Sequence, residues 1–434
     1  MNRKYALKAI SVLWVGSLLG AGLGFLTQII LARYLGPGGF GAFSASLTTV
    51  TLLAPLAGFG LQAFWLKAFG QEGWAARRWL PASFKFVASS TLLVGALLVM
   101  WAEFGPHGID TKYSLMILTS YLAGQAILEL VSTKLQLEEK YLTLSAWQLT
   151  PHLGRLAIIV GFVMVADERI STVEVSIIYS IVAIVFTLLG IYPLWQMTNQ
   201  RFTLKEHGPF SGRLSKATVY PTVYETCSQA WPFGLAVIFH LLYYQSNIVL
   251  LQRLDSDNAA GIYNVAFIVM TGVYLLPSVI YQKFMLAKLH RWARHDKDMF
   301  YKAYRQGNLA MAVLGVLAAI CLWGIVPYMV PLLFGDAYKT SVNLLLILSF
   351  CAPLRFVAMS VGAVLVTQEH MRKKVKYMGL VAVVNIILNL VLIPKFSYYG
   401  AATATLISEA LLLIFYRYAA GAFVFKQRQT EIIR

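Results

Sequence analysis

Four ionisable residues, Glu129, Arg155, Arg355 and Glu409, stand well inside long apolar runs. A charge in hydrocarbon is costly, so such residues face a water-filled cavity or a partner of opposite sign. An arginine fork binds phosphate through two parallel hydrogen bonds and stays charged at any relevant pH. Arg155 and Arg355, each near the middle of its run, are therefore expected to serve a cavity for an anionic group. The same residues permit a plainer arrangement, in which Arg155 pairs with Glu129 on the preceding helix and Arg355 with Glu409 or Asn385. Gln125 and Glu129 are four residues apart and share a helix face, as do Asn385 and Asn389. A further run, FHLLYYQSN, brings His240, Tyr243, Tyr244, Gln245 and Asn247. The candidate cavity contacts are Arg155, Arg355, Gln125, Asn385, Asn389, Tyr244 and Asn247, with Glu129 and Glu409 as charge partners or ion-coupling groups. Against this stand ordinary roles: asparagine as glue between membrane helices, and His240 as a hydrogen-bonded helix histidine.

The elements that carry these groups are set by the solvent. Of 434 residues 58% are hydrophobic and 13% charged, and mean hydropathy is +0.66. A soluble chain carries about 25% charge, so most of this one must be solvated by lipid. Runs of roughly 20 apolar residues read as membrane helices. Twelve occur, at approximately 8–32, 40–66, 80–103, 114–136, 144–166, 173–196, 227–252, 259–284, 307–331, 340–366, 374–394 and 398–422. They are too long and continuous for barrel strands, which alternate over about ten residues. The fold class expected is all-α and polytopic. The first run follows Arg3, Lys4 and Lys8 but has no small-residue cleavage site, and it reads as a retained helix rather than a signal peptide.

With the amino terminus inside, 28 lysines and arginines fall on the cytoplasmic side and 6 on the other. The positive-inside rule then puts both termini in the cytoplasm. The net charge of +17 is mostly this asymmetry and some attraction to anionic lipid, and it does not argue for nucleic acid. The basic run Gln282–Gln306 reads as a cytoplasmic helix or turn. The three cysteines show no metal or redox spacing, and no phosphate loop of the GxxxxGK[ST] type occurs. No metal and no cofactor are expected.

The chain divides into halves: 1–200, a polar cytoplasmic linker at 201–226, 227–422 and a tail at 423–434. A weak repeat supports the division. At a shift of 220, Arg33, Gly41 and Phe43 recur as Arg253, Gly261 and Tyr263; at a shift of 230, Phe104–Gly105 recurs as Phe334–Gly335 and Glu139 as Glu369. Pro55 and Pro277 interrupt matching spans. Six spans per half give both halves the same orientation, hence a pseudo-two-fold along the membrane normal and a site at the midplane.

The stretch ARYLGPGGFGAFSASLTTVTLLAPLAGFGL, Ala32 to Leu61, resembles the start of bacterial polysaccharide flippases of the Wzx or polysaccharide-transporter type. So does VVNIILNLVLIPKFSYYGAATATLISEALLL, with Asn385, Asn389, Pro394, Gly400, Ala401, Ala402, Ala404, Thr405 and Glu409. The resemblance spans nearly the whole chain and extends to multidrug exporters of the MATE type and lipid II flippases. It implies a MATE-like fold of two six-helix lobes that rock around a cationic cavity. The implied cargo is an undecaprenyl-pyrophosphate-linked oligosaccharide, moved across the bacterial inner membrane to the periplasmic leaflet for O-antigen, lipopolysaccharide or exopolysaccharide synthesis. The implied partners are membrane lipids and, in such pathways, a polysaccharide polymerase and a chain-length regulator. One departure stands out: many relatives carry an Arg and an Asp where this chain has Gln245 and Asn247. A MATE-like small-molecule exporter is the alternative transporter. A membrane-embedded polymerase or ligase is the alternative of another class, and the short outer loops argue against it.

Overall fold

The computed structural model describes residues 3–165, 170–199, 201–204, 220–278, 281, 285, 289, 292–293, 296–366 and 371–425. These residues form helices: α1 Arg3–Gly58, α2 Leu61–Glu72, α3 Leu80–Phe104, α4 Ile109–Leu118, α5 Ser120–Leu137, α6 Tyr141–Val165, α7 Thr172–Thr198, α8 Val223–Leu254, α9 Asp257–Ser278, α10 Lys297–Phe334, α11 Lys339–Ser349, α12 Cys351–Val366 and α13 Met371–Ala419. A 3-10 segment, Gly73–Trp79, links α2 to α3. The basic run at 282–306 lies largely outside the described residues; its end, from Lys297, opens α10.

Among the described residues seven stretches are long and apolar enough to cross a bilayer, or nine when each of two bent pairs is one span. Two of the seven, Ser11–Phe104 and Arg372–Val424, far exceed the roughly 20 residues of one crossing, and both are broken within. Gly36 (φ 66°, ψ 175°) breaks α1 and Ser397 (φ 53°, ψ −137°) breaks α13. Phe59 and Gly60, both at positive φ, end α1 before α2. Divided there, and with the bent pairs counted, the described crossings come to twelve. The chain is an all-α polytopic membrane protein. The second crossing ends at Gly58 rather than 66, because the positive φ values at Phe59 and Gly60 stop the helix. Gly36 lies in a backbone region essentially confined to glycine.

Contacts divide the chain into two compact units. Unit 1 comprises residues 1–35 and 45–238, and unit 2 comprises 36–44 and 239–434. In unit 1, α7 packs on α4 and α5 through small residues: a side chain at Gly124 would meet Ala183, and one at Gly190 would meet Ile127. The first half of α1 lies on α6 through the glycine stripe Gly16, Gly20 and Gly24, which faces Ser145 and His152. Small residues at i and i+4 let membrane helices approach closely. Beneath them sits a core built on α2, with Phe64, Trp65 and Phe69 buried. Trp65 donates its indole N–H to Ser83 Oγ at 2.9 Å, so full burial leaves no donor unmet.

In unit 2, α12 packs on α10 and α13, and α9 on α11. Gly315 of α10 lies against the Pro353 backbone. Gly41 and Gly261, in register in the sequence, meet in space: a side chain on Gly41 would strike the Asp257 carbonyl, and one on Gly261 the Pro37 carbonyl. Asn264 donates to Ser44 Oγ at 2.7 Å beside them.

Candidate functional site

Among the described residues, Arg155 in unit 1 and Arg355 in unit 2 each lie in a membrane crossing among tyrosines, and the two are held differently. In unit 1, Arg155 projects from α6 with its guanidinium 4.8 Å from the ring centroid of Tyr179 on α7 and 5.2 Å from that of Tyr121 on α5. An aromatic face attracts a cation through its quadrupole, so the two rings hold the fork without neutralising it. Its Nε is buried and makes no hydrogen bond. Among the described residues no carboxylate lies within ion-pair distance of Arg155; Glu129 instead accepts from Gln125 Nε2 on its own helix at 3.3 Å. Arg155 and Gln125 line one small hollow with Tyr121, Leu128, Pro151 and Phe186. Pro151 lies inside α6, where proline removes a backbone donor and leaves the carbonyl one turn back without its helical bond. One turn further along the same seam, Gln148 of α6 donates to Ser132 Oγ of α5 at 3.5 Å.

In unit 2, Arg355 of α12 pairs with Glu409 of α13, Nη1 to Oε1 3.3 Å, and both side chains are buried. Tyr243 and Tyr274 flank the guanidinium at 5.5 and 5.8 Å. Lys374 of α13 lies against Tyr416. A hollow with room for about one water, ≈20 Å³, is lined by Tyr243, Tyr263, Tyr274, Thr405 and Glu409. Glu409 belongs to the wall of this hollow and Arg355 does not.

The asparagines join helices. Asn247 of α8 donates to Tyr263 Oη of α9 at 2.8 Å and to Thr405 Oγ1 of α13 at 2.6 Å. Asn389 donates to Asn247 Oδ1 at 2.8 Å and to Asn385 Oδ1 at 3.0 Å. Asn385 donates to Ser408 Oγ at 3.0 Å. Asn247, Asn385 and Asn389 are all buried. Their polar atoms are largely committed within unit 2, which is the glue arrangement rather than an open wall. The side chains of Tyr244 and His240 lie outside the described residues. The geometry thus brings Arg155, Gln125 and Glu129 together in unit 1, and Arg355, Glu409, Asn247, Asn385 and Asn389 in unit 2. It also brings in residues the sequence reading passed over: Tyr121, Tyr179, Tyr274 and His152. Tyr121 was legible, because Tyr121, Gln125 and Glu129 recur every four residues.

The fold recurs in solved transporter structures. A structure described as lipid II flippase MurJ in an inward closed conformation superposes with a TM-score of 0.72, at 14% identity over 94% of this chain and 87% of that one. An inward-facing multidrug resistance MATE family transporter of the MOP superfamily gives 0.69, at 13% identity over 94% and 96%. A MOP superfamily transporter from Pyrococcus furiosus, described as having a binding pocket of reverse polarity, gives 0.62, at 13% identity over 96% of both chains. At such identities the likeness shows a shared fold and nothing more. No curated protein sequence matches. Residues 6–282 match the model of the polysaccharide biosynthesis protein family; the chain belongs to that family.

Proposed function

We propose that the protein is a flippase of the bacterial inner membrane that moves undecaprenyl-pyrophosphate-linked oligosaccharide to the periplasmic leaflet by alternating access, for surface polysaccharide synthesis. The observation that carries this reading is Arg155, a cation in a membrane crossing that sits between two tyrosine rings and, among the described residues, has no carboxylate within ion-pair distance. Family membership supplies the polysaccharide context, and the fold shared with a lipid II flippase supports a lipid-borne cargo. A diphosphate needs fixed positive charge, and an arginine held by two aromatic rings offers its N–H fork to phosphate oxygens. Arg355 already has Glu409 as its partner, so we assign it to holding unit 2 together and assign the phosphate contact to Arg155. Both termini are placed in the cytoplasm on the charge asymmetry of the loops.

The test is translocation of undecaprenyl-pyrophosphate-linked saccharide by the purified full chain in proteoliposomes. Arg155→Ala is expected to abolish it while leaving the protein folded, and Arg155→Lys to restore only part, because a point charge replaces the fork. Wild-type rates with Arg155→Ala would sink the reading.

A further inference from the structure

The two polar clusters spend their hydrogen bonds in different ways. In unit 2 Asn389 also bonds Asn385 one turn away on its own helix, but Asn247, Asn385 and Asn389 each have a bond to another helical segment as well. In unit 1 the bond from Gln125 to Glu129 stays on α5, so it contributes nothing to joining α5 to a neighbour. Polar side chains that act as glue in a membrane bond across the helix interface; this pair does not. Both residues are half-buried, and Gln125 shares the wall of a hollow with Arg155. Among the described residues Glu129 pairs with no cation and its side chain joins no helices, and a carboxylate so placed at membrane depth is an expensive feature.

We infer that Glu129 and Gln125 form the sugar-reading part of the cargo site, taking the neutral, polyhydroxylated ring next to the phosphate. This inference rests on the flippase reading above. Glu129 accepts hydrogen bonds from ring hydroxyls, and Gln125 both donates and accepts. Charge fixes the order of the cargo along α5. The carboxylate repels the diphosphate, which is drawn to Arg155, and the uncharged sugar is left to the Glu129 end. Gln125 and Glu129 are one helical turn apart, roughly 6 Å along the axis, so neighbouring hydroxyls of one ring can meet both.

The experiment compares two probes on the purified full chain: undecaprenyl pyrophosphate and undecaprenyl-pyrophosphoryl-N-acetylglucosamine. The ratio of their affinities reports sugar reading alone. Glu129→Ala is expected to lower the wild-type preference for the sugar-bearing lipid about tenfold, the scale of hydrogen bonds to a charged group. Glu129→Gln, which keeps an acceptor, recovers part of the preference. Arg155→Ala weakens both probes alike. If Glu129→Ala weakens both probes equally, or neither, the inference falls while the flippase reading stands. A change confined to the pH profile makes Glu129 a proton site and overturns the sugar assignment. Failure of the wild-type protein to retain either lipid overturns both readings.

Discussion

Arg155 and Arg355 look alike in sequence, yet they should respond differently to removal. Arg355→Ala would leave Glu409 buried without its partner, which costs about 3–5 kcal/mol. The expected result is a marked fall in melting temperature in detergent and poor recovery from membranes. Replacing both partners, Arg355→Met with Glu409→Leu, should regain most of that loss, since a buried ion pair exchanged for packed apolar groups is often neutral or better. Among the described residues, Arg155→Ala leaves no carboxylate stranded. It removes contacts with Tyr121 and Tyr179, worth about 2 kcal/mol in a desolvated setting, so the melting temperature should fall less than it does for Arg355→Ala. A melting temperature for Arg155→Ala as low as that of Arg355→Ala would mean that Arg155 too is structural.

Helix ends and crossings carry the next set of consequences. Glu139 closes α5 at φ 53°, with Lys140 N–H bonded to the Leu135 carbonyl at 2.9 Å. A left-handed residue after a helix is best glycine: the left-handed penalty of a side chain, about 1–2 kcal/mol, exceeds glycine's entropy cost of about 0.5–1 kcal/mol, so Glu139→Gly should stabilise, read as a raised melting temperature. The Gly41–Gly261 crossing admits no side chain; Gly41→Val should cost about 1–3 kcal/mol through overpacking, seen in the same assay. At the start of α8, Thr222 and Glu225 cap each other: Thr222 N–H donates to the carboxylate at 2.7 Å, and Glu225 N–H to Thr222 Oγ1 at 3.2 Å. The Thr222 backbone bond, then its hydroxyl, hold the Glu225 carboxyl below its usual 4.5. A lowered folded value means that the cap contributes fully above the unfolded value and is lost as pH falls through the folded one. Amide exchange at residues 223–226 should therefore stay slow at neutral pH and accelerate only below about pH 4.5, and Thr222→Ala should move that onset upward.

For the molecule as a whole, charge and apolar length act together. The turn at Gly105–Gly108 follows one crossing and precedes another, and the topology proposed from the charge asymmetry puts it on the side opposite the termini. In a chain whose native cysteines are replaced, a cysteine at Gly108 should react with an impermeant thiol reagent added outside the membrane. One placed at the carboxy-terminal Arg434 should react only after the membrane is opened. The reverse pattern would invert the topology and with it the direction of transport proposed here.

Composition and the length of the apolar runs were enough to make this chain a bundle of membrane helices, because hydrocarbon leaves few other ways to satisfy a backbone. Local chemistry was legible as well. Gly36 marks the break in α1, and the Gln125–Glu129 spacing marks a shared face. What one-dimensional reading left open was which charges meet. Glu129 and Arg155 lie on successive helices and looked like partners; Arg355 and Glu409, 54 residues apart, were one choice among several. An ion pair forms only if two helices are rotated to point both side chains at the same spot, and that rotation is set by packing along the whole length of each helix. In unit 2 the packing of α12 on α13 brings Arg355 and Glu409 together. In unit 1 the packing of α5, α6 and α7 points Arg155 at two tyrosines and leaves Glu129 bonded within its own helix, so that among the described residues Arg355 has a carboxylate partner and Arg155 has none.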